Sequence, residues 1–141
     1  MTKLELLENW YDQVWVKGDM AAIDRFFAPQ AGADGLLSDG QVGAEDFQAL
    51  VPALRRLVRD LSITIDRSRE TDDWLWAQIT VNALPAQGTT PIKASGQVML
   101  HFDKGMITEA YNMFDFLTFF EQAGALPQDA FLLLLSGETL N

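Results

Sequence analysis

Three stretches from residue 61 onward alternate apolar and polar residues one by one, and this period of two constrains the fold more than any other feature. In "DWLWAQITVNA", Leu75, Ala77, Ile79, Val81 and Ala83 are set against Trp74, Trp76, Gln78, Thr80 and Asn82. "IKASGQVMLHF" sets Ile92, Ala94, Gly96, Val98, Leu100 and Phe102 against Lys93, Ser95, Gln97, Met99 and His101. The shorter "LSITIDR" repeats the pattern with Leu61, Ile63 and Ile65. Successive side chains of a strand point to opposite faces, so these segments predict an antiparallel sheet with one apolar, covered face. The turn "DKGM" leads from the second long stretch into a further strand, "ITEAYNMFD".

Upstream the period is helical. Leu4, Leu7, Tyr11 and Val14 recur at three- and four-residue intervals beside Trp10 and Trp15, and Gly18 ends the run. Asp19 is placed to cap a short second helix carrying Met20, Ile23, Phe26 and Phe27, stopped by Pro29. The Gly- and Asp-rich "QAGADGLLSDGQVG" reads as loop with at most one short strand. Helical spacing returns from Ala44 to about residue 60, and Pro52 calls for a kink or for a helix that begins near it. "FLTFFEQAG" and "LPQDAFLLLLSG" read as two short closing helices. Helices first and sheet afterwards make an α+β domain whose helices cover one sheet face and leave a pocket between the layers.

At 141 residues and 48% hydrophobic content, residues 1–141 are expected to form one domain with its own core. The absence of cysteine excludes disulfides, thiolate metal sites and a cysteine nucleophile. A net charge of −10 argues against nucleic acid as a partner. Arg55, Arg56, Arg59, Arg67 and Arg69 are read as a solvated helix face running into a strand. The longest apolar run, "AFLLLL", is far too short to span a membrane, and the N-terminus lacks the pattern of a secretory signal, so a cytoplasmic, soluble protein is expected. With one histidine and no ligand spacing among the acidic residues, no metal site is predicted, and nothing calls for a cofactor.

Two stretches carry a family resemblance. "NWYDQVWVKGDMAAIDRFFAPQA" resembles the opening of nuclear-transport-factor-2-like proteins: an aromatic-rich helix, a Gly-Asp turn and a short helix ending in Phe-Ala-Pro. "MLHFDKGMITEAYNMFDFLTFFEQAGALP" resembles the end of the SnoaL-like branch, with its turn, Ile-x-Glu, aromatic and Asp before Leu, Gln and Gly. The resemblance implies a cone-shaped curved sheet with a deep pocket, found in polyketide cyclases, a ketosteroid isomerase and many members without known chemistry. By position it matches Asp115 to the acid/base aspartate of the cyclases, Tyr111 to an aromatic four residues earlier and Glu109 to the glutamate of Ile-x-Glu. Gln97 stands where the resemblance leads one to expect a pocket residue, often histidine.

An unbroken register across "DKGM", with Phe102 facing Ile107, sends Glu109, Tyr111, Met113 and Asp115 to the apolar side and His101 to the other. One β-bulge would reverse this. On that register the candidate catalytic residue is Asp115, whose pKa an apolar pocket would raise. Tyr11, Trp15, Phe27, Glu109, Tyr111 and Met113 are the candidate ligand contacts. The expected ligand is a small apolar or aromatic carbonyl compound. Asp115 has a second reading, as the cap of the helix that starts at Phe116, and the domain has one too, as a non-catalytic binding or interaction module. The outer face gathers Trp74, Trp76, Gln78, Met99 and His101, too apolar to leave in water, which predicts a homodimer through that face.

Overall fold

The computed structural model describes residues 1–140. Its elements run α1 (Lys3–Trp10), a π-helical segment (Tyr11–Val16), a 3-10 turn (Met20–Ala22), α2 (Ile23–Phe26), β1 (Phe27–Asp34) and α3 (Ala44–Arg55). Then follow β2 (Val58–Thr71), β3 (Trp74–Pro85), β4 (Ile92–Asp103), β5 (Met106–Phe114), α4 (Phe116–Gln122) and α5 (Ala130–Leu135). The five strands form one mixed sheet in the order β1-β5-β4-β3-β2. Its concave face is covered by the N-terminal helices, giving the α+β architecture expected from the period switch.

The alternating stretches behave as strands on their full length. β3 and β4 pair without a register shift from Trp74↔His101 to Ala83↔Ile92, and β3 alternates half-buried and buried residues along all 12 positions. Leu75, Ala77, Ile79, Val98 and Leu100 are buried, together with Leu7, Trp10, Val14, Phe27, Phe47 and Val51 from the covering layer.

Three departures from the sequence reading concern the covering layer. Phe27–Asp34 is a strand, where the second helix was expected to carry Phe27 and loop with at most one short strand to follow from Gln30; it lies at the sheet edge and runs parallel to β5. Its small residues Ala28, Ala31 and Ala33 are buried, so tertiary contact overrides a weak local preference. Pro29 is tolerated because β1 is an edge strand whose register is interrupted between Phe27 and Gly32. The helix α3 starts at Ala44 as the spacing indicated and runs through Pro52, but it ends at Arg55 and not near residue 60. The third departure is the winding of the first helix beyond Trp10, where the amide of Lys17 donates to the carbonyl of Asp12 at 2.9 Å, five residues back.

That wider turn is held at its end by Arg55 of α3. Its Nε donates to the carbonyl of Trp15 at 2.9 Å and its Nη2 to that of Val16 at 3.0 Å. Gly18, at φ +71°, gives the guanidinium room, since a Cβ there would lie 2.5 Å from Nη1. Only glycine satisfies both the left-handed turn and the close approach.

Candidate functional site

Between the covering layer and the sheet lies a cavity of about 120 Å³. The first helix lines it with Leu7, Trp10, Tyr11 and Trp15; β1 adds Phe27, and α3 adds Phe47, Leu54 and Arg55. The floor is the concave face of the sheet, including Ile79, Val98, Leu100, Ala110 and Asn112. Aromatic rings frame both ends. Trp10, Phe27 and Phe47 pack against one another with centroids 5.1 to 5.7 Å apart, while Phe114, Phe116 and Phe119 gather where α4 crosses the sheet. Gly96 makes the second group possible, because a Cβ there would meet the ring of Phe114 at 2.8 Å.

Tyr11, Trp15 and Phe27 therefore stand together in the wall, as the helical spacing suggested. Glu109, Tyr111 and Met113 do not. Phe102 faces Ile107 as expected, but the next pair is His101↔Glu109, so Thr108 is an extra residue in β5. This bulge flips every later position. Ala110, Asn112 and Phe114 turn inward opposite Leu100, Val98 and Gly96, and Glu109, Tyr111 and Met113 join His101, Met99 and Gln97 on the outer face. Met113 is 79% exposed there. The inward placement of those three residues is corrected by that single extra residue.

Asp115 is also away from the cavity interior. It is exposed, and it caps α4: Oδ1 accepts from the amide of Thr118 at 3.0 Å and Oδ2 from its hydroxyl at 2.6 Å. Both carboxylate oxygens are occupied locally, which is the ordinary use of aspartate at the start of a helix. Gln97, matched to a pocket position by resemblance, accepts instead from the indole of Trp76 at 2.9 Å on the outer face.

The outer face is dense in side-chain contacts. The Tyr111 hydroxyl donates to Glu109 Oε1 at 2.7 Å, and this bond, then the charge of Glu109, raises the phenol's pKa. Trp74 stacks near Tyr111 with centroids 6.3 Å apart and meets His101 edge-on at 4.9 Å. The Thr108 hydroxyl donates to the carbonyl of His101 at 3.1 Å. With its one proton so used, it accepts from Nδ1 of the same histidine at 2.6 Å. The bulge residue thus pins the side chain opposite it.

Apart from the indoles of Trp10 and Trp15, three lining side chains carry polar groups, and sequence reasoning did not place two of them in the cavity. Asn112 escaped because the unbulged register put it outside; its Nδ2 donates to the carbonyl of Asp34 at 3.1 Å. Arg55 looked like part of a solvated basic face, yet it is half-buried and bound to the π-helical carbonyls. Tyr11 is 9% exposed, and burial alone pushes its phenol pKa well up. No carboxylate or imidazole is among the lining residues, and no group of three or more potential metal ligands occurs among the described residues. No helix among them is long and apolar enough to cross a membrane.

Comparison with known proteins bears on this geometry. The SnoaL-like domain model matches residues 7–110. Among solved structures, a protein of ketosteroid isomerase-like fold from Catenulispora acidiphila, in complex with trimethylamine, superposes with a TM-score of 0.75 at 17% identity, covering 91% of this chain and 98% of that one. A candidate polyketide cyclase from Streptomyces antibioticus gives 0.74 at 16% identity over 88% and 99%. Another from Acidithiobacillus ferrooxidans gives 0.71 at 23% identity over 85% and 92%. At these identities the structures establish a shared fold. No curated protein matches the sequence.

Proposed function

Since the chain belongs to the SnoaL-like family, we propose that its cavity binds a small apolar molecule without acid/base turnover at Asp115. One observation carries this reading: the cavity wall is built from aromatic and aliphatic side chains, while both oxygens of Asp115 are engaged with Thr118 at the head of α4. Proton transfer needs a titratable group within hydrogen-bond reach of the reacting atom, about 2.6–3.2 Å or one water away. An apolar concavity with a few convergent polar atoms is instead the usual form of a binding site. Two of the structural relatives are candidate polyketide cyclases, and the catalytic alternative has its own test.

Thermal shift and amide NMR with neutral apolar compounds graded in size should raise Tm and move resonances of Tyr11, Trp15, Phe47 and Asn112. If every compound leaves those signals in place, or moves only outer-face residues, the binding reading is wrong. Any compound found to be turned over should be turned over equally by Asp115→Asn. A loss of rate of 10²-fold or more would restore the aspartate as the base.

We also propose a homodimer through the outer face. Beyond Trp74, Trp76 and Gln78, the bulge adds Tyr111 and Met113 to a surface where Met99 is already 45% exposed. Contiguous apolar area of this kind is uncommon on a lone domain. Light scattering at micromolar concentration should give twice the chain mass, and Trp76→Glu with Met99→Lys should give the monomer. A monomeric parent protein would end this proposal.

A further inference from the structure

The size and polar inventory of the cavity say more about the ligand than its apolar wall alone, given the binding reading above. Volume comes first. Drug-sized ligands occupy pockets of about 300–1,000 Å³, whereas an apolar cavity of about 150 Å³ in another protein accepts benzene. At about 120 Å³ this cavity is on the scale of one six-membered ring. Four fused rings do not fit without moving the aromatic groups at both ends.

Charge comes next. The one charged side chain in the wall, Arg55, has two of its nitrogens on the carbonyls of Trp15 and Val16, and its Nη1 lies against Gly18. A cationic ligand would find no carboxylate in the wall, and an anionic one would have to compete with the carbonyls of Trp15 and Val16 for the donors of Arg55, so either charge would be buried at a cost. A neutral molecule avoids this.

Besides the indole N–H groups of Trp10 and Trp15, two side-chain oxygens in the wall remain. The Tyr11 hydroxyl makes no hydrogen bond to any described residue, although the side chain is more than nine-tenths buried. It is not sealed against protein either, because no fully enclosed side-chain polar atom lacks a partner among the described residues. The other atom is Oδ1 of Asn112, whose Nδ2 is already engaged. Nearly every buried polar group in a native protein finds a partner in protein, water or ligand.

We infer that the cavity selects a neutral, single-ring molecule bearing a hydrogen-bond acceptor, met by the Tyr11 hydroxyl as donor. A second substituent that donates, such as a ring hydroxyl, has Asn112 Oδ1 to receive it.

Four fluorinated probes separate the elements of this inference by ¹⁹F NMR titration: 4-fluoroacetophenone, 4-fluoroethylbenzene, 4-fluorobenzoate and 6-fluoro-2-acetonaphthone. The acetophenone should bind tightest, with the benzoate and the naphthyl ketone at least tenfold weaker. Tyr11→Phe should weaken the acetophenone about five- to tenfold, the scale of one hydrogen bond, and leave the ethylbenzene within twofold. Equal or tighter binding of the naphthyl ketone overturns the size limit, equal binding of benzoate overturns neutrality, and an equal response of ketone and ethylbenzene to Tyr11→Phe overturns the donor role. Each of those results leaves the binding reading intact. Failure of all four probes to bind removes that reading and this inference together.

Discussion

The chain has two tyrosines, one in the covering layer over the concave face and one on the outer face of the sheet, and they are in opposite states. Tyr11 is buried in the cavity wall with no hydrogen-bond partner among the described residues, and desolvation keeps its phenol neutral. Tyr111 is 39% exposed and bonded to Glu109 of its own strand, which keeps it neutral by a different route. The outer site is complete within the chain. The inner one has donor capacity left over, and unspent capacity in a dry place is what marks a binding site. Density of polar contacts alone would have pointed to the wrong face.

The most severe way to sharpen this contrast is to truncate one side chain on each side. Phe27 is 1% exposed and touches two aromatic neighbours, so Phe27→Ala should cost about 3–5 kcal/mol in urea unfolding. In the monomeric Trp76→Glu, Met99→Lys variant, Met113→Ala should stay within about 0.5 kcal/mol, as exposed substitutions usually do. In the parent protein the same change should cost more, and an equally small effect in both would count against a partner on the outer face.

A smaller effect is expected at the junction of the two faces, where β5 hands over to α4. Asp115→Ala should lower stability by about 1 kcal/mol through loss of the cap, and Asp115→Asn by much less, because asparagine caps almost as well. Equal losses for the two variants would mean that the charge, rather than the cap, matters there.

The smallest expected effect lies at alkaline pH. Both phenols have folded pKa values raised above the unfolded value of about 10. The unfolded chain therefore releases these protons first, so the associated stability is intact below about pH 10 and is lost as pH rises beyond it. Tyr11→Phe should flatten that alkaline loss in thermal melts between pH 9 and 11 on the order of one pH unit either side of the phenol range. Tyr111→Phe should change it less, since its site is open to solvent. The reverse ranking would reverse the account of the two tyrosines.

How much of this was legible in the sequence differs from strand to strand. β3 and β4 were readable because one phase of each carries no polar side chain while the other includes Gln78, Thr80 and Asn82 or Lys93, Ser95 and Gln97, so their faces have a single solution. β5 was not, because "ITEAYNMF" is apolar in both phases: Ile107, Tyr111 and Met113 in one, Ala110 and Phe114 in the other. A hydrophobic pattern sets register only where the two phases differ, and the bulge at Thr108 falls where they do not. For this reason Asn112 was read as outward and Glu109, Tyr111 and Met113 as inward, whereas Tyr11, Trp15 and Phe27, which other elements position, line the cavity. Asp115 was legible as a cap from its place before "FLTFF", and the pull of a familiar motif competed with that plainer reading.

The π-helical winding of Tyr11–Val16 bears on how this protein should be aligned with its relatives. Its hydrogen bonds skip five residues, so the turn accommodates one more residue than an α-helical turn spanning the same ends. A homologue one residue shorter between Trp10 and Gly18 can wind as a regular α-helix and still deliver its Gly-Asp turn to the same place. The proper position for a gap in such an alignment is then inside this helix, although gaps are conventionally pushed into loops. A gap moved to the loop beyond Val16 would shift by one column the residues that follow its proper position, Trp15 of the cavity wall among them, and pair each with the wrong residue of every shorter homologue.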